Sequence, residues 1–161
     1  MGDTPRPFGV QPNERAFLAA MFDHMVEGVA LHELVLGPAG APADYRILAV
    51  NRAYESILGI PRDRVVGRLA TEAYGVPAAP YLAEYSRVAL GGAPHRFETH
   101  FPPMDRHFDI SVFRPGPNLF ATIFSDITER TRMNLALQAM RNVGLVMDPN
   151  IKFYKGKGCQ L

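Results

Sequence analysis

The chain has 161 residues, of which 47% are hydrophobic and 20% charged. This length fits one ordinary domain with short extensions, and this composition excludes a disordered polar chain. Because 17 basic side chains balance 16 acidic ones without long blocks of like charge, we expect no bulk electrostatic attraction to nucleic acid or to an anionic membrane.

The first half of the chain predicts a helix followed by a strand pair. Residues 1–12 carry three prolines and two glycines, a composition typical of a flexible lead-in. Apolar side chains then recur at helical spacing over 13–25, with Asn13 as a plausible N-cap. Val- and Leu-rich residues over 28–36, a Gly- and Pro-rich break, and a second β-type run over 45–50 predict two antiparallel strands.

The second half predicts helices and then three strands. Residues 51–58 favour a helix closed by Gly59, residues 61–67 a further helical turn, and residues 77–90 a helix opened by Pro77 and Pro80. Strict alternation predicts strands over 96–101 and 107–112, and a third strand is predicted over 119–125, after the Pro-Gly-Pro-Asn turn at 115–118. This order indicates an α+β fold, with a five-stranded antiparallel sheet that has its helices on one face.

The junction after the last strand predicts a helix over 128–148. Asp126 can cap its first amides while Glu129 reaches back, and Arg130 lies one turn beyond Asp126, within reach of an ion pair. An ordinary helix start would show the same cap. Met133 and Met140 belong to an apolar series spaced by three and four residues, which indicates either a short coiled-coil seam or an amphipathic helix packed on its own domain or on a partner. We assign no role to the tail, 149–161.

Four segments resemble, in this order, those of the PAS sensor domains. They are Glu27–Glu33, Asp44–Tyr54, Leu58–Gly67 and Phe124–Arg130, the last with an Asp-Ile-Thr terminus. The resemblance spans roughly Phe22–Arg130 and implies a PAS fold over 26–127, flanked by an N-terminal and a C-terminal helix. It also implies a module that precedes a histidine kinase, a diguanylate cyclase or a transcription regulator, coupled to it through Asp126, Thr128, Glu129 and Arg130.

The same resemblance restricts the cofactor. The only cysteine, Cys159, lies in the tail, so a light-driven flavin–cysteinyl adduct is excluded. PAS haem sensors hold iron through a histidine on or near the long mid-domain helix, and 77–90 contains none, which argues against haem. The five histidines lack Cys or carboxylate companions at zinc-ligand spacing, so we expect no metal site. His107 stands where many relatives carry Trp or Tyr.

Tyrosines in the helical block and a polar residue in an apolar strand face indicate a small-molecule pocket, although tyrosines also simply fill small cores. Thr99 is the best candidate for a polar pocket wall, or its hydroxyl bonds a neighbouring backbone carbonyl. His32 is expected to be a hydrogen-bonded structural or pocket residue. The candidate pocket residues are His32, Ile47, Asn51, Tyr54, Leu58, Tyr74, Tyr81, Tyr85, Phe97, Thr99, Phe108, Ile110 and Phe124.

No catalytic motif is recognisable, because the Gly-Pro-Ala-Gly stretch at 37–40 lacks the lysine of a phosphate loop and no Gly-x-Ser-x-Gly elbow occurs. We therefore predict a non-enzymatic, cytoplasmic PAS module that binds a small molecule or a partner and relays a change through its C-terminal helix. A lone cysteine and the lack of an apolar N-terminal segment favour the cytoplasm. The alternatives are a ligand-free dimerisation module and the N-terminal fragment of a kinase or cyclase.

A homodimer is the expected assembly. Its interface would use apolar side chains of the two flanking helices, namely Phe17, Met21, Phe22, Met25, Met133 and Met140. The outer face of the sheet is a further candidate surface. Neither nucleic acid nor a membrane is an expected partner.

Overall fold

The structure is a computed structural model that describes residues 12–146. Two strands, a helical block and three strands follow one another, as predicted from the sequence. The elements are α1 (Pro12–His24), β1 (Gly28–Leu36), β2 (Pro42–Val50), α2 (Arg52–Leu58), α3 (Arg62–Val65), α4 (Ala70–Tyr74), α5 (Leu82–Ala89), β3 (His95–Phe101), a 3₁₀ turn (Pro102–Met104), β4 (Arg106–Phe113), β5 (Leu119–Asp126) and α6 (Thr128–Val146).

The chain divides into two compact units between Ile127 and Thr128. The first contains the sheet and helices α1 to α5, and the second contains α6. The predicted tail, 149–161, and the end of the predicted exit helix at 147–148 lie outside the described residues, as do Cys159 and residues 1–11 of the lead-in. Within residues 12–146, none of the helices combines the length and the apolar character that crossing a bilayer requires.

The five strands form one antiparallel sheet in the order β2-β1-β5-β4-β3. β1 pairs with β2, β3 with β4 and β4 with β5, each as antiparallel neighbours in sequence, whereas β2 and β3 lie at the two edges of the sheet. The two hairpin segments are joined by the pairing of β5 with β1, the first strand of the chain. In that pairing Gly28 lies opposite Phe124 and His32 lies opposite Phe120. The last strand therefore lies at the centre of the sheet, in contact with the first.

One face of the sheet is apolar and lies beneath the helices. Alternation along β4 puts Phe108, Ile110 and Val112 on this face, where all three are buried. Removal of such side chains from water is the main driving force for packing helices on the sheet. His100 and His107, which pair across β3 and β4, lie on the opposite face, as the alternation predicts.

Three local predictions were wrong. The helix expected from Pro77 begins only at Leu82, because Tyr81 has a left-handed backbone (φ 55°) that a continuous helix cannot accommodate. Helix α4 was not predicted, since five residues are too few to show a helical period. Helix α1 begins at Pro12, where a proline is well tolerated, so Asn13 is not its cap.

Candidate ligand cavity

A cavity of about 60 Å³ lies between the inner face of the sheet and the helical block. Aromatic side chains dominate its walls, with a few polar groups among them. The lining residues are His32, Tyr45, Tyr54, Leu58, Tyr74, Pro80, Tyr81, Tyr85, Phe101, Met104, Phe108, Ile110, Thr122 and Phe124. Since one water needs about 10–15 Å³ on this scale, the cavity has room for several waters or one small molecule.

The structure brings most of the predicted pocket residues together around this cavity. Those that line it are His32, Tyr54, Leu58, Tyr74, Tyr81, Tyr85, Phe108, Ile110 and Phe124. The other four do not: Ile47 is fully buried in the core, Asn51 is engaged by the backbone, and Phe97 and Thr99 lie on β3. The Thr99 hydroxyl donates to the neighbouring His100 carbonyl at 3.4 Å, which was the alternative that the sequence left open.

Sequence reasoning missed five lining residues, namely Tyr45, Pro80, Phe101, Met104 and Thr122. Thr122 had a usable signal, because it is a polar residue on the buried face of an otherwise apolar strand, just as Thr99 is on β3. Tyr45 had none, since a tyrosine in a strand is ordinary. Met104 belongs to a turn whose position only the folded chain defines.

His32 provides a deeply buried polar group of the cavity wall, and the residue is only 2% exposed. Its Nε2 lies 3.1 Å from Thr122 Oγ1, across the β1–β5 pair. The imidazole stacks on Phe120, with ring centroids 4.7 Å apart, and meets the edge of Tyr45. Burial among these rings lowers the pKa of His32 to about 3, so the ring is neutral at neutral pH. One ring nitrogen is then a donor and the other an acceptor.

The tyrosines surround the cavity with neutral hydroxyl groups. The Tyr54 and Tyr74 hydroxyls share a hydrogen bond of 2.7 Å. Burial raises the pKa of Tyr74 to about 12, and it raises the pKa values of Tyr45, Tyr54 and Tyr85 well above the ordinary value of a phenol. Electrostatic repulsion between neighbouring phenolates further disfavours ionisation of Tyr45 and Tyr54 and so also raises their pKa values. All of these phenols are therefore protonated at neutral pH.

Tyr81 combines a strained backbone with a buried hydroxyl. Its φ of 55° is unusual for a bulky residue and has a conformational cost that the surrounding packing must offset. Its ring packs against Phe97 and Tyr85. Burial raises the pKa of Tyr81, and the nearby Thr99 side chain partly offsets that increase, although the Tyr81 hydroxyl has no hydrogen bond of normal geometry in the described residues. The left-handed residue turns the chain over the cavity immediately before α5.

Asn51 stabilises the frame that holds the cavity and is not itself available to a ligand. Its Oδ1 accepts from the backbone N–H groups of Val29 and Tyr54, both at 2.9 Å, and thereby caps α2. Its Nδ2 donates to the carbonyls of Phe22 at 3.0 Å and Glu27 at 2.9 Å. All four hydrogen-bonding positions of the amide are therefore used, and they join α1, β1 and α2.

Comparison with known proteins gives the family. A family model described as the PAS fold matches residues 41–132, more than half of the chain. The chain belongs to the PAS fold family. The match begins within the turn before β2, and the structure shows that β1 completes the sheet. The predicted PAS fold, with its five-stranded antiparallel sheet, is thus confirmed.

Solved PAS domains share this architecture. The PAS domain of BvgS from Bordetella pertussis matches with a TM-score of 0.54 and 20% identity, covering 81% of this chain and 98% of that one. An RNA-binding light-oxygen-voltage receptor matches with a TM-score of 0.55 and 19% identity, covering 89% of this chain and 42% of that one. At these identities the likeness concerns the fold alone. A search of curated protein sequences found no match.

One cationic and one anionic side chain meet where the last strand of the PAS sheet ends. The Arg106 guanidinium lies 3.5 Å from the Asp126 carboxylate and also donates to the Ile57 carbonyl near the end of α2. The backbone N–H of Ile127 donates to the His107 carbonyl at 2.8 Å. Of the predicted coupling residues, Asp126 thus ends β5, while Thr128, Glu129 and Arg130 form the first turn of α6. Arg106 was not foreseen, and the predicted capping box stays a prediction.

All but one of the predicted dimer residues lie on α1 or α6, and Met25 lies just after α1. On α1, Phe17 and Met21 are exposed, whereas Phe22 is partly buried. Met25 follows α1 and is also partly buried. Met133 and Met140 lie seven residues apart on α6. The homodimer itself stays a prediction.

The histidines and acidic residues that the structure describes do not gather into a metal-binding group. Within 12–146, no group of three or more His, Cys, Asp or Glu side chains is placed to hold a metal ion. His100 instead bonds the Asp105 carboxylate at 2.9 Å on the sheet edge, and its ring lies 4.7 Å from that of His107. These histidines form a surface cluster away from the cavity.

Proposed function

We propose that this PAS domain is a non-enzymatic sensory module of the cytoplasm, whose cavity binds a small molecule and whose α6 relays the change to an output domain. One observation carries the proposal: strand β5 contributes both to the cavity wall and to the junction with α6. Thr122 and Phe124 line the cavity, and Asp126, two residues later, ends the strand. A histidine kinase, a diguanylate cyclase or a transcription regulator is the output that fits the family.

The relay would run through Arg106. Leu58, at the end of α2, lines the cavity, and the preceding carbonyl, of Ile57, accepts from Arg106. The same guanidinium faces Asp126. An occupant that binds one packing of α2 better than another would therefore bias the position of Arg106 and with it the β5–α6 junction, which is a population shift.

Native mass spectrometry of the protein purified from its own host tests the binding step. The expected result is a reproducible mass above that of the denatured chain, lost when Leu58→Trp fills the cavity. Leu18→Trp, the same change on the exposed side of α1, is the matched control and should keep the added mass. Clean apoprotein in several preparations would overturn small-molecule binding.

Amide hydrogen exchange tests the relay step. Leu58→Trp, which imitates an occupied cavity, should change the protection of amides at Thr128–Arg132, and Arg106→Gln should remove that difference. Equal exchange in the wild type and in Leu58→Trp would refute a path from the cavity to α6.

A ligand-free dimerisation module is the second candidate, and the exposed Phe17 and Met21 of α1 favour it. Analytical ultracentrifugation over a dilution series distinguishes the two functions. A dimer weakened by Phe17→Glu, in a protein that never carries a ligand, would favour this candidate. A dimer unaffected by that change would argue against α1 as its interface.

A further inference from the structure

The cavity wall contains hydrogen-bonding capacity that the described residues leave unused. His32 Nδ1 and the Tyr81 hydroxyl are buried, and neither makes a hydrogen bond of normal geometry in the described residues, although the Thr99 side chain lies near the Tyr81 hydroxyl. The side chains of both residues line the cavity. Buried polar groups in folded proteins are nearly always paired, so two unpaired groups at one cavity indicate an occupant that pairs with them.

The tyrosine pair adds to this capacity. Tyr54 and Tyr74 have two hydroxyl hydrogens between them, and their mutual hydrogen bond uses one. The second hydrogen remains free to be donated, and both residues line the cavity. The wall thus offers donors and acceptors on more than one side.

The wall carries no formal charge. Among the residues that the structure describes, those that line the cavity include no Asp, Glu, Lys or Arg. Burial keeps His32 neutral and the tyrosines protonated at neutral pH. An ion placed here would lose its hydration without gaining a counter-charge, which is strongly unfavourable. The occupant must therefore be uncharged.

Size and wall chemistry narrow the occupant further. A cavity of about 60 Å³ holds on the order of five non-hydrogen atoms if each needs about the space of one water. Tyr45, Tyr85, Phe108 and Phe124 present aromatic surface to that space. Aromatic rings pack well against other rings in stacked or edge-to-face contacts, so a flat ring suits these walls better than a branched chain.

We propose that the occupant is a compact uncharged ring with a polar edge that both donates and accepts a hydrogen bond, recognised by His32 and Tyr81. The inference rests on the proposed binding function of the cavity and specifies its ligand class. A ligand edge with both a donor and an acceptor satisfies His32 Nδ1 in either neutral tautomer.

Titration of the full chain with three five-membered rings, followed by protein-observed NMR, tests this specificity. Pyrazole has the polar edge, thiophene has the same ring size with little hydrogen-bonding capacity, and pyrrolidinium has the same size with a positive charge. We expect pyrazole to bind at least about tenfold more tightly than thiophene, because the buried groups stay unpaired with thiophene. Pyrrolidinium should not bind.

Equal affinity for thiophene and pyrazole would refute the claim that the ligand needs a polar edge. Binding of pyrrolidinium with an affinity comparable to that of pyrazole would refute the claim that the ligand is uncharged. A cavity that takes up only water would show no saturable shift with any ring, which would also overturn the inference. In each case a co-purifying molecule in the native mass spectrum would leave the proposed function standing, so the two failures are distinguishable.

Variants assign the recognition to named residues. His32→Phe combined with Thr122→Val removes both partners of one hydrogen bond and preserves the ring and the branched shape. Pyrazole affinity should fall toward the affinity for thiophene, and the affinity for thiophene should stay unchanged. Tyr81→Phe, which keeps the packed ring, should lower pyrazole affinity several-fold and provides the test if the double variant does not fold. His24→Phe on α1 is the control. Unchanged pyrazole preference in both test variants would refute the assignment.

Discussion

Replacement of Asn51 by alanine tests whether one side chain holds the frame of the cavity. The wild-type side chain is fully buried, and its amide makes four hydrogen bonds, one each to the backbone of α1, β1 and α2 and one to the Glu27 carbonyl between α1 and β1. Asn51→Ala removes all of them at once, because alanine offers neither a donor nor an acceptor. The N–H groups of Val29 and Tyr54 and the carbonyls of Phe22 and Glu27 would lose these partners.

The magnitude follows from the individual bonds. Loss of the N-cap of α2 costs about 1 kcal/mol. The buried Val29 N–H, left unpaired, adds about 1–2 kcal/mol. The carbonyls of Phe22 and Glu27 add about 1 kcal/mol together, because their hydrogen bonds are only partly buried and water can replace the lost partner. The expected loss is about 3 kcal/mol of unfolding free energy. That is a large fraction of the roughly 5–15 kcal/mol that stabilises an ordinary domain.

Urea unfolding followed by circular dichroism measures this loss. With a slope near 2 kcal/mol per molar urea, the midpoint should fall by about 1.5 M at unchanged slope. Asn134→Ala, the same substitution at an exposed position of α6, should change the unfolding free energy by less than about 0.5 kcal/mol. A loss of about 1 kcal/mol or less for Asn51→Ala would refute the reasoning, since the cap alone would then account for it.

Three further predictions concern pH, packing and surface charge. The pKa of His32 is near 6.5 unfolded and about 3 folded, so the unfolded chain binds the proton first and stability falls as the pH drops from about 6.5 to about 3. Between pH 7.5 and 5 the wild type should lose about 2 kcal/mol more than His32→Phe/Thr122→Val, by urea unfolding at both values; equal losses contradict this. Gly28→Ala should cost about 1–3 kcal/mol, because the new Cβ collides with the Phe124 ring, and an unchanged thermal midpoint would contradict that contact. Arg62→Ala should cost under about 1 kcal/mol, and less at high salt, since its ion pair with Asp23 is half exposed; a loss of several kcal/mol would contradict this.

Much of the fold was predictable because alternation and helical spacing report which side of an element is buried. The five strands were found at nearly their observed positions, and the hairpin pairing of neighbouring strands followed from their order. Gly59 was expected to close α2, and it does so with a left-handed backbone (φ 69°) that glycine adopts without strain. A helix was expected from residue 51 onward, and the Asn51 side chain caps α2, which begins at Arg52.

The cavity depended on contacts that no local pattern contains. His32 and Thr122 are 90 residues apart and meet only because β5 pairs with β1. In the sequence, nothing distinguishes Arg106 from an ordinary strand residue. Only the folded chain places its guanidinium between the Ile57 carbonyl and the Asp126 carboxylate. The left-handed Tyr81 is likewise imposed by the packing around it, since its sequence, Pro-Tyr-Leu, favours a helix start.

The sequence by itself determined the order of the elements, the buried face of each, and the family to which they belong, because periodicity and short motifs are local properties of the chain. Only the tertiary structure decided which buried faces meet, and hence that His32, the tyrosines and Thr122 surround one uncharged cavity. The physical reason is that a period shows that a side chain leaves water, whereas its neighbours are set by packing between segments far apart in the chain.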